Sequence, residues 1–145
     1  SFNAILETHF DTAVGKVNVA GQDIGRVLLN LFNNAFYAVS EKKRSAGTDY
    51  EPIVQVTTTK TENSIQIKVK DNGNGIPEKV LDKIFQPFFT TKPTGQGTGL
   101  GLSLAFDIVT KGHGGELKVG TLSAEAAAQA GKEGEGTEFI ILLPV

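Results

Sequence analysis

PIVQVTTTKTENSIQIKVKDNGNGIP, residues 52–77, alternates apolar and polar side chains on both sides of a three-residue break. That two-residue period is the mark of half-buried β-strands, and TEN between them reads as a hairpin loop. The second strand runs straight into DNGNGIP, whose Asn and Gly content marks a tight turn. Pro77 then suits the first position of a short helix over 77–85, because its missing N–H is one that a helix start leaves unpaired anyway.

Working outward, the segment before the hairpin is helical. Ile24, Val27, Leu28, Leu31, Phe32, Ala35, Phe36 and Val39 recur at intervals of three and four, the apolar stripe of an amphipathic helix. Asp23 near its start suits the helix dipole, and EKKRSAG ends it with basic residues and Gly47. Further upstream, residues 3–10 read as an edge strand and GKVNVA (15–20) as another strand-like piece. Downstream, QPFFTTKPTGQG (86–97) is a loop with two prolines and two glycines, and 98–111 reads as a helix. GELKVGTL and GTEFIILLP close the chain as two strands, joined by an Ala- and Gly-rich connection over 123–135. Helices interleaved with antiparallel hairpins predict a two-layer α/β sandwich, with a mixed, mostly antiparallel sheet and helices on one face, rather than βαβ units.

Composition bounds the function. The chain has 145 residues, the size of one domain, and a net charge of −2 with no basic block, which gives a nucleic-acid surface no electrostatic support. It has no cysteine, which removes disulfides, thiolate zinc sites and cysteine nucleophiles. No apolar run is long enough to span a bilayer, and SFNAILETHF lacks the features of a signal peptide. The absence of an initiator Met suggests a fragment of a longer protein.

Three stretches could carry chemistry. TGQGTGLGLSLA (94–105) sets Gly95, Gly97, Gly99 and Gly101 at alternate positions before a helix. Glycines let a backbone approach phosphate oxygens closely, and a helix N-terminus favours an anion. Neither the dinucleotide spacing nor a Walker lysine is present, so a flexible loop before a helix is the equal alternative. In DNGNGIP, Asp71 ends a strand, where it can accept from a ligand N–H; Gly73 and Gly75 allow a tight bend beside a flat ring, and a plain turn is the competing reading. In NLFNNAFYAV (30–39), Asn30 and Asn34 lie four apart on one flank of the apolar stripe, with Asn33 facing away. Two carboxamides there could bond a ligand or hold Mg²⁺, which takes few protein ligands; backbone or water could equally satisfy them.

Taken in order, NLFNNA, DNGNGIP, IFQPFFTTK and GTGLGLSLA, followed by HGGEL and GTEFIILLP, resemble the N, G1, F and G2 boxes and the terminal strands of the ATP-binding catalytic domain of sensor histidine kinases. That domain belongs to the wider group shared with gyrase, Hsp90 and MutL. The resemblance covers nearly all of residues 1–145 and implies the Bergerat ATP-binding fold, with ATP and Mg²⁺ as cofactors. It implies that Asp71 receives the adenine amino group, that Gly73, Gly75 and Ile76 border the ring, and that Thr137 supports Asp71 through water. Asn34 is the implied Mg²⁺ ligand, with Asn30 near the phosphates. Lys92 reaches them from the ATP lid, and Gly97, Thr98, Gly99, Leu100, Gly101 and Leu102 supply contacts at the helix start. Tyr37 stands where many kinases carry a lysine, which departs from the pattern.

One position separates subclasses. The self-contained ATPases of the group place a water-orienting Glu where this chain has Asn30, and a carboxamide cannot act as a general base. The resemblance therefore implies transfer of the γ-phosphoryl group to a histidine on a separate helical dimerisation domain of a homodimeric parent, with a response regulator downstream. It implies a cytoplasmic setting, either free or as the cytoplasmic part of a membrane-anchored sensor, with no direct membrane contact by this stretch; the charge balance argues against a nucleic-acid partner. His9 and His113 have no phosphoacceptor surroundings. An ATPase or serine-kinase relative and a non-catalytic interaction module on the same fold are the rival readings; a Rossmann-type dehydrogenase is a more distant one.

Overall fold

The computed structural model describes residues 5–9, 21–46, 50–87, 89, 101–122 and 136–144. Strands β1 (Ile5–His9), β2 (Ile53–Lys60), β3 (Ser64–Asp71), β4 (Glu116–Leu122) and β5 (Gly136–Pro144) form one sheet in the order β1-β2-β3-β5-β4. β1 pairs with β2 in parallel, and the other three pairs are antiparallel. The mixed, mostly antiparallel sheet and the α/β class follow the sequence expectation. One detail differs: β1, helix α1 (Gly21–Ala46) and β2 form a parallel crossover, so the chain does begin with a βαβ unit. The weak patterning of the edge strand hid this, since an edge strand needs less apolar content than a central one.

α1 buries the stripe that defined it. Val27, Leu31 and Val39 are fully buried, Ile24 and Ala35 nearly so, and Leu28, Phe32 and Phe36 pack against the same core. Each large apolar side chain so buried contributes ~2 kcal/mol. The sheet answers with one apolar face. Across β3, β5 and β4 its rows read Ile67–Ile141–Leu117 and then Val69–Phe139–Val119, with Ile65–Leu143 before them. The opposite face carries polar side chains, among them Lys68 and Glu138, paired at 3.8 Å.

One helical expectation is corrected and another is borne out with a change of pitch. Pro77 does not open a helix over 77–85. A single 3₁₀ turn, Glu78–Val80, begins a chain of tight turns in which Val80 N–H bonds Pro77 O, Lys83 N–H bonds Val80 O and Gln86 N–H bonds Lys83 O. So short a segment cannot offset the cost of nucleating an α-helix. Packing sets its path instead: Ile84 is buried, and Phe85 lies 5.1 Å from Phe106 and 6.5 Å from Phe139 between ring centroids. The helix expected over 98–111 is α-helical as α2 (Gly101–Asp107) and then widens to a π-helical turn, Ile108–Gly112. The Thr110 hydroxyl donates to Phe106 O at 2.7 Å, competing for a carbonyl of the regular ladder. Gly114 and Gly115 then cap the end through Thr110 O and Val109 O. The strand-like 15–20, Gly47, residues 98–100 and the 123–135 connection lie outside the described residues.

Candidate functional site

At one end of the core face the rows turn polar. The row after Val69–Phe139–Val119 is Asp71–Thr137–Thr121, one residue from each of three neighbouring strands, with Val54 of β2 on its far side. Asp71 and Thr137 are each only 5% exposed. Gly73 N–H donates to Asp71 Oδ1 at 2.8 Å, and the Thr137 backbone N–H also bonds the carboxylate. Burial nevertheless dominates, raising the Asp71 pKa from 3.8 to about 6, while those two N–H groups and the Lys42 charge pull it down. Among the described residues, no buried side-chain nitrogen or oxygen lacks a hydrogen-bond partner. The row is thus a satisfied polar seam whose carboxylate retains acceptor capacity.

The turn that follows is built against α1. A Cβ on Gly73 would stand 2.8 Å from Ala38, so no larger residue lets strand and helix approach this closely. Gly75 has φ +78°, the left-handed region that glycine enters without strain. The turn ends with Ile76 N–H donating to the Thr121 hydroxyl at 2.7 Å, which brings it back to β4.

From Ala38, one face of α1 leads away from this turn. Asn34 and Asn30 follow at successive four-residue steps and are half-buried, while Asn33 is exposed as its helical position required. Eight residues, just over two helical turns, separate Ala38 from Asn30, ~12 Å along the axis. At the far end Asn30 Nδ2 donates to Gly101 O at 3.1 Å, tying α1 to the first residue of α2. Tyr37 is half-buried one turn beyond Asn34, and Leu102 packs against the core. Asp71 and Gly73 therefore meet one end of a ledge on α1, and Gly101 meets the other. Lys92, Gly97, Thr98, Gly99 and Leu100 lie outside the described residues, as does the 88–97 lid apart from Phe89.

Sequence reasoning missed a cluster behind the carboxylate. The Asn72 side chain accepts from Ile53 N–H at 2.8 Å and donates to Glu51 O at 2.8 Å. The Tyr50 hydroxyl lies 2.9 Å from Asn72 Oδ1 and 3.0 Å from its carbonyl, which also accepts from Lys42 Nζ at 3.2 Å. That ammonium sits 4.9 Å from the Tyr50 ring centroid, in cation–π range. The affinity of Asn for backbone groups in turns was the available signal. Thr121 was missed too. Its signal was the alternation of Leu117 and Val119 giving way to a polar residue, as Val69 does to Asp71 and Phe139 to Thr137.

Residues 20–145 match the pattern of the family described as histidine kinase-, DNA gyrase B-, and HSP90-like ATPase. The chain belongs to that family. The match takes in both asparagines, the polar row and the start of α2. Among relatives of this ATPase-family chain, sensor histidine kinase ZraS of Escherichia coli K12 is 38% identical over 120 residues, covering 83% of the chain and 21% of ZraS. Sporulation kinase C of Bacillus subtilis is 33% identical over 144 residues, covering 99% of the chain and 28% of that kinase. The chain thus spans less than a third of these relatives' length. Among solved structures, the catalytic domain of histidine kinase ThkA superposes with TM-score 0.74 at 29% identity, covering 97% of this chain and 80% of that one. The mycobacterial sensor histidine kinase MprB gives 0.69 at 27% identity, covering 97% and 83%. The fold is that of a histidine kinase catalytic domain, which bears out the resemblance read from the boxes.

Proposed function

We propose that residues 1–145 form the ATP-binding catalytic domain of a sensor histidine kinase, which passes the ATP γ-phosphoryl group to a histidine on a separate helical domain of a homodimeric parent. The observation that carries the reading is the ledge on α1: a buried carboxylate and a glycine turn at its Ala38 end, the start of α2 at its Asn30 end, and Asn34 between them. A carboxylate held by two backbone N–H groups is suited to accept the adenine amino group while Gly75 and Ile76 border the ring. Thr137 supports it from the neighbouring strand. The start of α2, after the 97–101 glycine run, suits phosphate oxygens.

The residues fit Mg²⁺ in its usual nucleotide-bound form. Among the described residues no group of three or more His, Cys, Asp or Glu side chains is placed to hold a metal, so an all-protein cage is not what they offer. A single neutral oxygen from Asn34, with phosphates and water completing the shell, is the arrangement magnesium favours. When bound, the ion neutralises charge developing on the transferred group. The chain's own work is positioning. Asn30 has its amide committed to Gly101 O and is no base, which disfavours direct hydrolysis by water. His113 has Nδ1 3.0 Å from Ile108 O, within its own turn, and serves the fold rather than accepting phosphate.

The implied setting is cytoplasmic, with a response regulator receiving the phosphoryl group. Among the described residues no helix is long and apolar enough to cross a membrane. Calorimetric titration with a non-hydrolysable ATP analogue tests the reading. Binding in the micromolar to millimolar range, strengthened by Mg²⁺, is expected; absence of heat and of any thermal shift across that range would overturn it.

A further inference from the structure

The turn that leaves Asp71 does not fold back on its own strand. It crosses two strand positions and is caught at Ile76 by a hydroxyl on β4. Thr121 Oγ1 accepts from Ile76 N–H at 2.7 Å and lies 3.2 Å from Gly136 O, to which it donates. A hydroxyl has one proton. With that proton directed at Gly136 O, a lone pair is left facing Ile76. Gly136 is itself pressed against Asp71: a Cβ there would collide with the Asp71 carbonyl oxygen. The hydroxyl therefore couples the strand that backs Asp71 to the far end of the glycine turn.

We infer that Thr121 is a positioning residue for the purine ring of the nucleotide, fixing Ile76 at a set distance from the Asp71 carboxylate. This rests on the nucleotide reading above. Thr121 acts through Ile76 rather than on the ligand: by anchoring Ile76 at the β4 end of the row it sets the separation between Ile76 and Asp71 at the other end. Without the hydroxyl, Ile76 N–H loses its acceptor, and Gly75, with its permissive backbone, lets the wall drift.

The test compares wild type, Thr121→Val and Thr121→Ser by calorimetric titration with a β,γ-imido ATP analogue and Mg²⁺, together with amide exchange at Ile76. Valine keeps the shape and removes the hydroxyl. It is expected to weaken binding roughly fivefold and to speed exchange at Ile76, since one such hydrogen bond is worth ~1 kcal/mol. Serine is expected to restore both. Wild-type affinity in the valine chain overturns the assignment. So does a serine chain as weak as the valine one, because the methyl group would then be what matters. If the valine chain does not fold, wild-type exchange decides: analogue binding must slow exchange at Ile76 more than at Val80, and equal slowing overturns the assignment. Wild type silent toward the analogue overturns the nucleotide reading and this role with it, an outcome distinguished by failing before any variant is compared.

Discussion

The two ends of the α1 ledge are built differently. The carboxylate end is part of the sheet: Asp71 is bonded by Gly73 and Thr137, backed by the Asn72–Tyr50–Lys42 cluster, and closed by Thr121. At the helix end, Asn30 joins two helices through one bond to Gly101 O. A rigid pocket for a flat ring needs fixed walls, which a ladder of strands supplies. A polyphosphate has rotatable linkages, and its site needs donors that can follow it. On the nucleotide reading, specificity resides at the sheet end and adaptability at the helix end.

The largest test of that contrast is Asp71→Asn. It is expected to weaken binding of the ATP analogue ~50-fold, corresponding to ~2–3 kcal/mol for a charge-assisted bond, in a chain whose circular dichroism is unchanged. Retained affinity would shift specificity to the helix end. Titration of the same carboxylate has opposite consequences for fold and ligand. Its folded pKa, about 6, lies above the ordinary 3.8, so protonation favours the folded state. That contribution, up to ~3 kcal/mol, is fully present below pH 3.8 and lost as pH rises through 6. Denaturant melts between pH 4 and 7.5 should show this gain on acidification in wild type but not in Asp71→Asn. On the nucleotide reading, analogue affinity should fall over the same acid range, because protonation removes the charge proposed to accept the adenine N–H.

Asn72→Ala comes next. It strands Ile53 N–H and removes the side-chain acceptor from Tyr50, so a stability loss of ~2 kcal/mol is expected in urea unfolding. Asn34→Ala should leave Mg²⁺-free binding nearly unchanged and abolish the strengthening by Mg²⁺, read as the ratio of the two dissociation constants. Asn30→Ala is the smallest, ~1 kcal/mol of stability from one half-buried bond, measured by the same melts. A larger loss there would make the helix end as rigid as the sheet end.

The strands and α1 were legible because each carries one strong period over many residues. α2 was legible as a helix over its described residues, but its widening to a π turn was not, and neither was the path after Pro77, because one turns on a single side-chain bond and the other on tertiary contact. Phe85 follows Phe106 and Phe139, and Thr110 diverts a carbonyl, neither of which a local pattern records. Asp71 stood out as a carboxylate ending a strand, and the paired asparagines stood out as polar residues on a buried flank. Thr121 and Asn72 become visible once register aligns the strand ends: their partners are distant in sequence, and their residue types are ordinary for a strand end and a turn. The parallel pairing of β1 was hidden by the weak patterning of that edge strand.

The polar row has a further consequence for the life history of the chain. Its members come from strands that are sequence-distant, and the last to be synthesised, β5, lies between the other two. During synthesis, Asp71 has no Thr137 amide to meet until β5 has emerged. Once the domain is folded, detachment of β5 alone dismantles the row. A ligand that needs the row intact therefore opposes detachment of β5 by RT ln(1 + [L]/Kd), and occupancy becomes a report on whether that strand is in place.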